Sequence, residues 1–182
     1  RIRPVKTRGV RIYQVSDLDE NISFSDYQAN RWITCLAMLA IAFLICQIRG
    51  YDTQIFTVTI SVCIYKMVDA LADVYEGRLQ QQDKLYLAGV SQMVRSLSVL
   101  ALFTVALVLT HSLAAASVAM AVGAVVTFLI LTLPLAFLET PRSARMRLSG
   151  VVELFKQCFP LFIALFLYSF IDNMPKFVMD GV

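Results

Sequence analysis

Long apolar runs alternate with short polar breaks along this chain, and the pattern predicts helices rather than strands. Trp32 to Ile48 is apolar and uncharged, and the tight polar turn Arg49-Gly50-Tyr51-Asp52 closes it. A second run extends from Thr53 to about Tyr75 and continues as a solvated helix through Glu76 to Gln82. The third runs from Met93 to Leu109 with an amphipathic lead-in from Leu85. After the short connection Thr110-His111-Ser112, Leu113 to Leu138 carries no charge at all. It exceeds the roughly 20 residues needed to cross a bilayer, so tilt or a kink at Pro134 is expected. A polar segment, Glu139 to Gly150, leads to a fifth run from Val151 to about Met179, interrupted by Pro160 and Pro175.

The expectation is an all-α, polytopic membrane helix bundle of about five spans. It divides into a basic N-terminal segment (1–31), four spans of one bundle (32–138), a polar loop (139–150) and a fifth span opening a second bundle (151–182). Ser25-Asp26-Tyr27-Gln28 fits a capping box, placing the first helix start near Asp26. Trp32 then sits where an interfacial aromatic belongs. Ala115, Ala119 and Gly123 form a small-residue stripe that lets another helix approach closely. The chain opens on Arg1 rather than Met and stops just after an apolar run, so it reads as a piece of a longer protein.

Composition agrees with the pattern. Of 182 residues, 58% are apolar and only 16% are charged. An ordinary soluble domain carries roughly 25% charge. Mean hydropathy is +0.69. Disorder, collagen and disulfide scaffolds are excluded by composition. Cys35, Cys46, Cys63 and Cys158 lie scattered inside apolar runs, and His111 is the sole histidine, so no zinc site or other metal or cofactor is expected.

Charge placement matters more than the net +3. Arg1, Arg3, Lys6, Arg8, Arg11 and Arg31 precede or open the first span. Arg78 and Lys84 lie in the second connection, and Arg142, Arg145, Arg147 and Lys156 near the fourth. All fall on one side, against Arg49 alone on the other, so the positive-inside rule makes the basic side cytoplasmic. The basic N-terminal run is then a topology signal and not a nucleic-acid patch.

Some charges remain inside apolar helices. Lys66, Asp69, Asp73, Glu76 and Gln80 fall within an arc of roughly 80° on the second helix. Ser91, Arg95 and Ser98 share one face of the third. A mid-membrane charge costs about 2.5–3.5 kcal/mol on insertion scales, so such groups face protein or a water-filled cavity. At the rise of an α-helix, Lys66 lies roughly 20 Å and Asp73 roughly 30 Å from the outer edge of a core about 30 Å thick. Arg95 lies about 21 Å inward of Leu109. Lys66, Asp69, Asp73 and Arg95 thus belong to the cytoplasmic third. One reading is a charged vestibule suited to an anionic headgroup, favoured for Lys66 and Arg95. The other is snorkelling plus an Asp–Arg tie between helices, favoured for Asp73 and Glu76. At the chain's end, Asp172, Asn173 and Lys176 flank Pro175. They fit either an interfacial ion pair or a discontinuous helix beside a transport site.

Three stretches carry a likeness to a known family: Phe24 to Arg31 running into a span, Lys66 to Gln80 followed by Ala88 to Arg95, and Phe159-Pro160 through Lys176. In their order and spacing the chain resembles the polysaccharide flippases, the O-antigen, capsular and teichoic-acid exporters of the multidrug/oligosaccharidyl-lipid/polysaccharide superfamily. The resemblance implies a transporter rather than an enzyme, in the bacterial cytoplasmic membrane, with twelve to fourteen helices, of which these would be helices three to seven. It implies two bundles rocking about a cationic cavity that takes an undecaprenyl-pyrophosphate-linked oligosaccharide. Partners would be that lipid, the surrounding membrane lipids and a coupling proton or sodium ion. Lys66, Arg95 and Lys176 would be substrate-facing, with Asp69, Asp73, Ser91, Ser98, Asp172 and Asn173 in the cavity or its ion pairs. The alternatives are a multidrug or cation antiporter of the same fold, a membrane enzyme of glycan assembly, and a non-transporting scaffold. The small extracytoplasmic turns disfavour the enzyme, and the intramembrane cations disfavour the scaffold.

Overall fold

The computed structural model describes residues 24–139, and beyond them 151–152, 154–156, 159–160, 163–164, 167–168, 171–172 and 174. Among these residues the structure is all-α, without a strand. Helix α1 spans Phe24–Arg49, α2 Thr53–Gln81 and α3 Leu85–Thr110. Helix α4 (Leu113–Thr127) passes through a π-helical turn, Phe128–Thr132, into α5 (Leu133–Glu139). Four membrane-length apolar helices result: α1, α2, α3 and the continuous run Leu113–Leu138. The protein is a multi-pass membrane protein.

The turns are short and have local causes. Gly50 (φ 60°) ends α1, and Tyr51 N–H donates back to Cys46 O at 3.4 Å. Asp83 (φ 58°) plays the same part after α2, where Lys84 N–H reaches Leu79 O at 3.0 Å and Asp83 N–H reaches Gln80 O at 3.2 Å. Both are Schellman-type ends, in which a left-handed residue lets the next amides satisfy orphan carbonyls. His111 (φ 50°) closes α3, and Ser112 Oγ caps α4 by accepting from Ala115 N at 3.4 Å. Connections this short force antiparallel neighbours. The start of α1, the end of α2, the start of α3 and α5 therefore share one end of the bundle.

The second helix runs on past its apolar run as the sequence predicts, and the lead-in from Leu85 is helical too, but the extension is not solvated as expected: Glu76, Gly77, Arg78 and Leu79 are buried. Two further expectations need correction. Ser25 already lies inside α1, so it is not the helix cap, and Gln28 Nε2 donates to Tyr75 Oη across the helix interface. The disturbance expected at Pro134 takes the form of the π turn immediately before it. Proline lacks an amide hydrogen and crowds the carbonyl four residues back. The ladder relaxes there: Leu133 N–H reaches back five residues to Phe128 O.

The core concentrates at the charged end. Tyr75 meets Phe24, Phe128 and Phe137 edge to face, with centroids 5.6, 5.7 and 6.2 Å apart. Val68, Leu71, Ala72, Val99 and Ala124 pack beside it. Tyr27, Val74 and Leu154 form a second cluster, which seats Leu154 on the bundle. Of the small-residue stripe, Gly123 is the close-approach point, where an added Cβ would strike Leu102 Cδ1 of α3. Ala115 and Ala119 are only half-buried, and Ala116 and Ala124 have no exposure. The outward faces carry Ile33, Leu36, Val105 and Leu129, all exposed as lipid-facing residues would be. Trp32 is exposed among them.

Of the fifth run, Val151 to Met179, about half the residues, Met179 among them, lie outside the described ones. Those described from 151 to 174 are helical.

Candidate functional site

At the charged end, α1, α2 and α3 line a half-open cavity of about 320 Å³. That is near the lower end of the roughly 300–1,000 Å³ range of small-ligand sites. Its charged lining is Arg31 from α1, Lys66, Asp69, Asp73 and Glu76 from α2, and Arg95 from α3. Three cations thus face three carboxylates. The placement follows from helical periodicity. The α2 carboxylates and Lys66 share one arc, and antiparallel packing brings that arc against the start of α1 and the start of α3.

Arg95 is the centre of the site. Its guanidinium gives Nη1 to Glu76 Oε1 at 2.6 Å and Nη2 to Asp69 Oδ1 at 3.1 Å. The two partners differ in surroundings. Glu76 is 1% exposed and Arg95 3%, whereas the Asp69 side chain is 41% exposed. A buried guanidinium needs such company, because an uncompensated ion in a low-dielectric interior costs several kcal/mol.

Arg31 and Asp73 form the second pair, Nη2 to Oδ2 at 3.1 Å, and both side chains are about a quarter exposed. Arg31 Nε also donates to Ala70 O at 2.9 Å, which fixes the guanidinium along α2. Lys66 differs from both arginines. Its side chain is exposed at the rim, with Nζ 5.2 Å from the Tyr65 ring centroid, and it makes no ion pair among the described residues. Gln92, exposed one turn before Arg95, completes the polar lining.

The structure therefore brings Lys66, Asp69, Asp73 and Arg95 together, as the polar arcs predict. The expected Asp–Arg tie between helices takes two forms: Asp69 pairs with Arg95, which also takes Glu76, and Asp73 pairs with Arg31. Ser91 does not line the cavity. It is fully buried and shares a 2.9 Å hydroxyl hydrogen bond with Thr132 of the π turn. Ser98 is half-buried on the same face of α3, outside the cavity lining. Asp172 is exposed and does not line the cavity either. Asn173 and Lys176 lie outside the described residues.

Arg31 and Gln92 are cavity residues that the sequence pattern does not single out. Arg31 belongs to a basic flank that a topology signal already explains. Its signal is position: it lies about two helical turns inside the first helix, on the same side of the membrane as Asp73. Gln92 stands three residues before Arg95, a helical neighbour.

Among the described residues, no group of His, Cys, Asp and Glu is placed to hold a metal ion. Cys35, Cys46 and Cys63 are free thiols. Comparison with family models, with curated proteins and with solved structures gives no match.

Proposed function

We propose that this chain belongs to a membrane transporter that moves a lipid-linked oligosaccharide across the bacterial cytoplasmic membrane by alternating access, for surface polysaccharide biosynthesis. The observation that carries the reading is the cavity at the charged end, where a buried guanidinium and a rim ammonium with no ion pair among the described residues face one space between three helices. Arg95 supplies a planar donor fork suited to phosphate oxygens, and Lys66 a mobile point charge. Both act in a partly desolvated place, where charge–charge contacts count for more than in water. The short turns at the opposite end leave no platform for glycan chemistry, which favours a carrier over an enzyme. The resemblance to polysaccharide flippases supplies the diphosphate-linked lipid as the specific anion.

A second reading rests on Asp69, Asp73 and Glu76 in the same cavity. Carboxylates there would suit a cation or proton antiporter of the same architecture. The arginines occupy a carboxylate oxygen of each. That arrangement favours the anionic substrate.

The test is transport of a fluorescent diphosphate-linked lipid by the full-length protein in proteoliposomes, with Lys66→Gln and Lys66→Arg compared. The glutamine variant is expected to lose most of the flux and the arginine variant to keep it. Full flux in Lys66→Gln, or efflux of organic cations with no lipid movement, would remove the proposal.

A further inference from the structure

The two carboxylates on Arg95 are not equivalent, and the difference assigns them different roles. Glu76 holds Nη1 at 2.6 Å and is buried with it. Asp69 holds Nη2 at the longer 3.1 Å, and its side chain is 41% exposed toward the cavity. Nη2 is the guanidinium nitrogen whose carboxylate partner is open to solvent, so an anion entering the cavity meets it at Asp69. Nη1 lies behind, committed to a group with almost no solvent contact.

We propose that Asp69 is a carboxylate latch: it occupies the anion subsite on Arg95 in the unliganded protein, and a diphosphate headgroup displaces it. The proposal rests on the reading of an anionic lipid substrate and says how that substrate is admitted. Glu76 keeps Arg95 in place throughout, so the guanidinium is not freed to swing. Lys66, three residues before Asp69 on the same face of α2, supplies the second positive charge to the incoming headgroup.

The charge count gives the latch its purpose. Arg31, Lys66 and Arg95 balance Asp69, Asp73 and Glu76, so the unliganded cavity has no net formal charge. Standing open with bare cations, it would bind any phospholipid headgroup or free phosphate of the inner leaflet. A competing carboxylate imposes a threshold. A monoanion contacting one nitrogen gains little over Asp69, whereas a diphosphate can engage Arg95 Nη2 and the Lys66 ammonium together. The latch is thus a specificity device that works by opposing the wrong ligand. The other groups facing Asp69 leave it free to serve. Arg31 from α1 is engaged by Asp73 and by the Ala70 carbonyl, and the run Leu113 to Leu138 brings no charge.

The experiment measures binding of farnesyl diphosphate, farnesyl monophosphate and inorganic pyrophosphate to the full-length protein in zwitterionic nanodiscs. Wild type is compared with Asp69→Asn, Asp69→Ala and Lys66→Gln. Removing the competing charge is expected to tighten farnesyl diphosphate about tenfold or more. It should also narrow the preference for diphosphate over monophosphate, while Lys66→Gln weakens diphosphate binding. Asp69→Ala guards against an asparagine that still accepts from Arg95. Tightening of inorganic pyrophosphate in parallel assigns the subsite to the diphosphate itself. Tightening confined to the farnesyl ligands assigns it to a membrane-anchored headgroup, and both results support the latch. Unchanged or weaker diphosphate binding in both Asp69 variants, with wild type binding normally, overturns the latch and leaves the transport reading standing. Absence of diphosphate binding in wild type and in both Asp69 variants overturns the two together.

Discussion

Ser91 and Thr132 face each other with hydroxyl oxygens 2.9 Å apart and no exposure on either side chain. This bond joins α3, one turn before Arg95, to the π turn. Removing one hydroxyl leaves the other buried without that partner. Thr132→Val is therefore expected to cost about 1 kcal/mol, within the range for buried and intramembrane hydrogen bonds. The double change Ser91→Ala with Thr132→Val should cost less than the sum of the singles. A double-mutant cycle on unfolding in detergent checks it, and additive losses would mean that the hydroxyls are not coupled.

The Arg95–Glu76 pair carries a larger penalty. Arg95→Gln takes the guanidinium from two carboxylates, one of them buried, and should cost up to about 3–5 kcal/mol, whereas Glu76→Gln leaves Arg95 its contact with Asp69 and should cost less. The double change should recover most of the loss, because two neutral amides can hydrogen-bond without a buried charge. Retention of a monodisperse fold across a temperature series gives the comparison. Singles as stable as the parent would show that water reaches this pair.

At Gly123 the expected costs are graded. Gly123→Ala puts its methyl group against Leu102 Cδ1, the end of a side chain that is itself 44% exposed and so free to turn away. A loss of at most about 1 kcal/mol should follow. Gly123→Leu must part α3 from α4, and overpacking of that kind costs about 1–3 kcal/mol. Leu102→Ala should rescue the alanine variant fully and the leucine variant in part.

Topology has its own measurement. Single cysteines at Ser112 and at Tyr51 should react with an impermeant maleimide from outside intact cells. A cysteine at Asp83 should react only after the membrane is opened. Reaction of Asp83 and Ser112 from the same side would break the up-and-down order of α2, α3 and α4.

How far the sequence reaches is plain at the site. Period and charge are enough to put Lys66, Asp69, Asp73 and Glu76 on one arc of α2 and Ser91 with Arg95 on one face of α3. They set which face is polar but not how far each helix is rotated or shifted against its neighbours. A shift of one turn decides whether Arg95 meets Asp73 or Glu76, and packing around Tyr75 sets it. Arg31 was hidden because a basic flank already has a sufficient cause in membrane orientation. The π turn was hidden because proline announces a disturbed ladder without saying whether the helix will bend or take up an extra residue.

The aromatic meeting at Tyr75 has a consequence for how the bundle breathes. Its ring contacts α1, the π turn and α5, and its hydroxyl accepts from Gln28, so the cohesion between elements is gathered beside the cavity. At the far end α1 and α2 touch through Phe43 and Phe56, centroids 6.0 Å apart, with Phe43 itself 48% exposed. The helices resemble the ribs of a fan, riveted at the charged end and looser at the opposite rim. In deuterium exchange, amides near Gly50 and His111 should therefore label long before those flanking Tyr75. Any spreading of the helices would then begin at that rim, about a fixed rivet.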